Sequence, residues 1–199
     1  MSTEPVEKST APSTTWRTVD IVVASVIGVA LGFVFWIWNL LYSVAATLTA
    51  PIFPPAWAVI YGMWLVTGVL SGLIIRKRGA AVLTSIAAAS VSAILGVQWG
   101  WEVVVSGALQ GLGAELVFLA FGYRRWGMGV AVLAAVASAL YPAVRDNIVS
   151  NVTWPLSYQL SYAAIVIASS AVIAGVGSRL LTTSLAKAGA LAPFPSAKG

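Results

Sequence analysis

The apolar positions of this chain gather into runs about 20 residues long, separated by short polar breaks. The runs cover 19–41, 56–75, 79–97, 103–123, 127–144 and 156–181. A helix needs about 20 apolar residues to cross a bilayer, whereas a transmembrane strand needs about 10. The pattern therefore predicts an all-α membrane protein with six transmembrane helices. A proline-rich break at Pro51, Pro54 and Pro55 separates the first two runs. The third and fifth runs are short and rich in alanine, which predicts central helices packed on protein rather than lipid. The first run is too long for a cleaved signal segment, and no small-residue cleavage pattern follows it.

The flanks differ in composition. Residues 1–15 are polar and rich in Ser, Thr, Pro and Glu, and are expected to be disordered. Residues 16–185 form the expected six-helix domain. Residues 186–199 carry two prolines and are expected to be a mobile tail.

Basic residues give the orientation. Lys8 and Arg17 precede the first run, and Arg76, Lys77 and Arg78 follow the second. Arg124 and Arg125 follow the fourth, and Arg179, Lys187 and Lys198 close the chain. These alternate segments hold ten of the eleven Lys and Arg residues. Cytoplasmic loops carry the excess of basic charge, so both termini are expected in the cytoplasm of a cell-membrane protein. The net charge of +5 is then a topology signal rather than a nucleic-acid footprint.

Composition narrows the chemistry. Only 9% of the 199 residues are charged, against about 25% in soluble domains. With no cysteine, disulfides and thiol chemistry are excluded; with no histidine, the commonest metal ligand is missing. No G-x-x-x-x-G-K-[ST] loop is present for binding ATP, and no G-x-S-x-G motif for hydrolysis. Neither a metal site nor a cofactor is expected, and an enzyme is disfavoured, because a single intramembrane carboxylate makes a poor catalytic set.

Aromatic residues concentrate on one side. Trp36, Trp38, Trp57, Trp64, Trp99, Trp101 and Trp154 fall on the outer half, against Trp16 and Trp126 on the inner. Interfacial belts place aromatics at both surfaces, so the imbalance also admits a cage for a flat ring or an organic cation. Gln98, Glu102, Ser106 and Gln110 recur every four residues, which on one helix makes a polar stripe descending from the outer surface. Glu115 lies off that stripe, inside an apolar run. A carboxylate at that depth is costly, and two roles are open for it: ligand contact or hydrogen bonding to another helix. Arg145 and Asp146, as sequence neighbours, are expected to pair with other residues or to sit in a solvated loop. Ala24, Gly28 and Gly32 form a small-residue face, fit for internal packing or for docking another membrane protein.

A compact bundle with an outward aromatic and polar cavity and no energy source reads as a capture subunit. A stand-alone carrier, or a structural membrane protein, is the alternative. The stretch from Gly107 to Arg125, GALQGLGAELVFLAFGYRR, together with WRTVDIV from Trp16 and IIRKRGAA from Ile74, resembles the YkoE-like S components of energy-coupling-factor (ECF) vitamin transporters. That pattern often has proline where this chain has Arg78, a position away from the ligand. The resemblance implies an S-component bundle that captures thiamin or its hydroxymethylpyrimidine precursor, or another flat heterocyclic vitamin. It also implies a transmembrane T component and two cytoplasmic ATPase subunits as partners, with Ala24, Gly28 and Gly32 meeting the T component. By residue type and depth, the expected ligand set is Trp38, Trp64, Trp99, Tyr141 and Tyr158 among the rings. Gln98, Glu102, Gln110, Glu115 and Asn147 complete it among the polar groups.

Overall fold

The structure, a computed structural model, describes residues 15–198. Most of the expected segment 1–15 therefore lies outside the described residues. Seven α-helical stretches follow in order. They are α1 (Thr18–Thr49), α2 (Val66–Ile75), α3 (Ala80–Ile94), α4 (Glu102–Ala120), α5 (Met128–Val149), α6 (Leu156–Ser170) and α7 (Gly177–Lys187). A 3-10 helix at Pro54–Leu65 runs straight into α2, and a π-helical turn at Ala171–Val176 joins α6 to α7. Among the described residues, five continuous helices are long and apolar enough to cross a membrane, and the 15-residue α3 is shorter. The protein is a multi-pass helical membrane bundle.

The third run is packed on protein as expected, with only Leu83 and Ile94 of α3 exposed, and the second span is more deeply buried still. All ten residues of α2 are buried. Small residues make this possible, because they let neighbouring backbones approach. Gly68 faces Ser85 of α3 and Gly111 of α4, and Gly72 lies under the Phe118 ring. Large apolar side chains face outward instead, including Val26, Leu40 and Leu48 of α1. They suit a lipid surface.

The small face of α1 is used inside the bundle. A methyl group at Gly28 would stand 2.7 Å from the Ala87 side chain, and one at Gly32 2.8 Å from the Ala88 carbonyl. Ala24 is buried in the core with them. Of the two uses expected for the small face of Ala24, Gly28 and Gly32, the structure shows internal packing, with Gly28 and Gly32 allowing the close approach of α3.

The expected mobile tail at 186–199 is likewise anchored over its described part. Leu191, Phe194 and Ser196 are buried, and the Ser196 hydroxyl donates to the Ile74 carbonyl at 2.9 Å. Arg17 donates to the Pro193 carbonyl at 3.1 Å, and Arg76 to that of Pro195 at 3.3 Å. Burial, and then the like charge of Arg179, lower the Arg76 guanidinium to about 10.

Candidate ligand-binding site

A cavity of about 360 Å³ opens at the end of the bundle opposite Arg76, Lys77 and Arg78. That volume lies within the range usual for small-molecule sites. One wall comes from the polar stripe on α4. Glu102, Ser106 and Gln110 line the cavity, and Gly107 between them lets Ala89 of α3 pack close. Gln98 is not part of the wall. It precedes α4, where the chain is still turning, and points to the exterior.

The opposite wall is aromatic. Tyr42 of α1 meets Trp57 at 4.7 Å between ring centroids, Trp99 at 5.1 Å and Trp64 at 5.9 Å. Tyr61 meets Trp64 at 5.2 Å and Trp57 at 5.9 Å. Tyr162 of α6 closes the cluster against Trp57 at 5.4 Å. Edge-on and tilted ring pairs at these distances attract through their quadrupoles. The rings thus support each other and present faces and edges to the cavity. Trp101, two-thirds exposed, stays outside this cluster. The outward excess of aromatic residues therefore divides between a cage and exposed rings.

Charge enters from α5, which continues as helix to Val149 instead of ending in a loop. Arg145 donates to Glu102 at 2.7 Å and to its neighbour Asp146 at 3.2 Å. The expectation that Arg145 and Asp146 pair with others holds for Glu102 and Tyr162, but the two also pair with each other. The Tyr162 hydroxyl donates to the far oxygen of Asp146 at 2.6 Å. Two carboxylates and one guanidinium leave the mouth of the cavity with a formal excess of one negative charge.

Of the ten expected ligand residues, Trp64, Trp99, Glu102 and Gln110 line this cavity, and six do not. Trp38 turns away and donates its indole N–H to the Ile60 carbonyl at 3.1 Å. Asn147 ties α5 to α6 by donating to the Ala143 and Gln159 carbonyls. Tyr158 packs on Phe53 and Trp154, and Tyr141 is half-buried on α5 without lining the cavity.

Glu115 is at the other end of the bundle. Its carboxylate accepts the Gly79 N–H at 2.5 Å and the Ala81 N–H at 3.0 Å. These are unsatisfied donors at the start of α3, where a negative charge also meets the positive end of the helix dipole. The Tyr123 hydroxyl donates to the same carboxylate, and burial together with Glu115 pushes the Tyr123 phenol up. Glu115 is thus a helix cap supplied by a different helix, and not part of the cavity. The rings at Tyr42, Trp57, Tyr61 and Tyr162, with Arg145 and Asp146, line the cavity although the expected set omitted them. For Trp57 and Tyr61 the signal was the clustering of aromatics just after Pro54 and Pro55.

Comparison with known proteins adds a separate line of observation. Residues 19–141 match the family described as the permease component of an ABC-type cobalt transport system. The Bacillus subtilis (strain 168) protein YkoE, assigned as an HMP/thiamine permease, is 35% identical over 177 residues, covering 88% of this chain and 87% of the relative. A crystal structure of an S component of an ECF transporter superposes with a TM-score of 0.86 at 34% identity, over 92% of each chain.

Proposed function

Because the chain belongs to the YkoE-like S components, the substrate-binding membrane subunits of ECF transporters, we propose that its aromatic cavity captures thiamin or hydroxymethylpyrimidine for import. The protein is a transport subunit and not an enzyme. The observation that carries the ligand reading is the Tyr42–Trp57–Tyr61–Trp64 cluster lining one cavity together with Glu102 and Asp146. Aromatic faces stack on a flat heterocycle and attract a cation such as the thiazolium of thiamin. Gln110 at the cavity wall supplies an amide, able both to donate to and to accept from an aminopyrimidine. The cobalt named in the family description fits this lining less well. Both carboxylates already engage Arg145, and divalent transition metals seek several imidazole, thiolate or carboxylate donors at once.

The cavity faces outward if the basic segments 76–78 and 124–125 are cytoplasmic, as the distribution of Lys and Arg favours. A T component and two ATPase subunits then supply the energy. The test is a titration of the detergent-purified protein with thiamin and with hydroxymethylpyrimidine, read by tryptophan fluorescence. Saturable quenching in the nanomolar to low micromolar range is the expected outcome. Quenching by neither compound, with the fold intact by circular dichroism, sinks the ligand assignment.

A further inference from the structure

Three of the cavity rings, Trp57, Tyr61 and Trp64, sit on one 3-10 helix twelve residues long. Such helices rarely run past three or four residues, because their hydrogen bonds are poorly aligned. Pro54 and Pro55 suit its start, where their missing N–H groups cost nothing. They do not explain its persistence to Leu65. Two side chains from other helices do. Trp38 of α1 donates to the Ile60 carbonyl. Ser169 of α6 acts at two atoms at once: its hydroxyl accepts the Gly62 N–H at 3.0 Å and donates to the Val59 carbonyl at 2.7 Å.

Those two backbone groups are the pair that an i to i+3 bond joins in a 3-10 turn. In an α-helix each would instead point at a partner four residues away. One hydroxyl reaches both because they face one another, so Ser169 clasps the turn in its 3-10 winding. Gly62 permits the approach, since a methyl group there would lie 2.5 Å from the Ser169 carbonyl oxygen. Winding sets length. A 3-10 helix rises about 2.0 Å per residue against about 1.5 Å in an α-helix. Over the seven steps from Trp57 to Trp64 the difference is about 3.5 Å, close to the thickness of one aromatic ring.

We infer that Ser169, which is buried and does not itself line the cavity, is a positioning residue that spaces Trp57, Tyr61 and Trp64 along the ligand by clasping Val59 and Gly62. The inference rests on the assignment of the aromatic cavity as the ligand site. Thiamin carries two rings and depends on the spacing of several aromatic faces. Hydroxymethylpyrimidine carries one ring and depends on it less.

The experiment compares S169A with S170A in the full-length purified protein. Ser170 is as deeply buried, but its hydroxyl bonds only to the Val166 carbonyl of its own helix. Two measurements are made: Kd for thiamin and for hydroxymethylpyrimidine, and amide hydrogen exchange over 54–65 without ligand. S169A is expected to raise the thiamin Kd about tenfold, as for loss of a buried hydrogen-bonded group, with a smaller rise for hydroxymethylpyrimidine. Exchange over 54–65 is expected to quicken in S169A and not in S170A. A mere loss of stability would weaken both ligands equally. Equal weakening, an unchanged thiamin Kd, unchanged exchange, or the same pattern in S170A overturns the positioning role. Failure of the wild-type protein to bind either compound sinks the ligand assignment instead, and the exchange measurement still reports whether Ser169 clasps the turn.

Discussion

Tyr162 donates its hydroxyl to Asp146 across 2.6 Å, joining the aromatic cluster to the charged mouth of the cavity. The bond holds the carboxylate against the rings, and Arg145 holds its other oxygen at 3.2 Å. A carboxylate so fixed is pre-organised to attract a cation lying on the aromatic faces.

Asp146→Asn keeps an oxygen to accept from Tyr162 but removes the charge. The thiamin Kd is expected to rise about tenfold, from a Coulomb loss of about 1–2 kcal/mol. Neutral hydroxymethylpyrimidine is expected to bind almost unchanged. Fluorescence titration at low and at physiological salt checks this. Equal losses for both compounds would refute an electrostatic role for Asp146.

Removing Glu115 is expected to leave binding intact. Glu115→Ala strips the caps from Gly79 and Ala81 and the partner from Tyr123, at a cost of about 2–3 kcal/mol. A lower melting temperature with the wild-type thiamin Kd is the expected pair of results. A large change in Kd would return Glu115 to the ligand.

Gly32→Ala places a methyl group 2.6 Å from the Val91 side chain and 2.8 Å from the Ala88 carbonyl. Overpacking of this kind costs about 1–3 kcal/mol. Thermal unfolding of the isolated subunit is therefore expected to shift down with no partner present. If Gly32 served only to meet a T component, the isolated protein would melt as the wild type does, and only complex assembly would suffer.

Ligand quenching should trace to particular rings. Trp64→Phe is expected to remove a clear share of the quench, because Trp64 lines the cavity against Tyr42 and Tyr61. Trp101→Phe is expected to leave it unchanged, since Trp101 is 67% exposed and outside the cavity lining. A quench that survives Trp64→Phe in full would move the site away from this wall.

What could be read from the chain follows from the range of each interaction. Apolar runs gave a multi-pass helical bundle, though the structure has five helices of spanning length and the shorter α3, and a spacing of four gave the stripe of Glu102, Ser106 and Gln110, because both reflect local geometry. Glu115 could not be placed, since two of its three partners are backbone N–H groups of a turn, which carry no residue signature. The spacing of Ala24, Gly28 and Gly32 revealed a close approach, but a small residue does not say which helix approaches. Trp57 and Tyr61 were hidden for another reason. Their helix winds at three residues per turn, held by Ser169 more than 100 residues away.

Arg17, just before the first helix, reaches the Pro193 carbonyl, and Trp16 donates to the Arg78 carbonyl at 3.1 Å. The path of the backbone therefore nearly closes on itself, with its first and last described turns sharing one vertex. A label or tether placed at either of these described turns acts on that same corner, next to the Arg76 turn and far from the aromatic cavity. Fluorophores or surface anchors attached there will report on, or hold, the base of the bundle while leaving the mouth unobstructed.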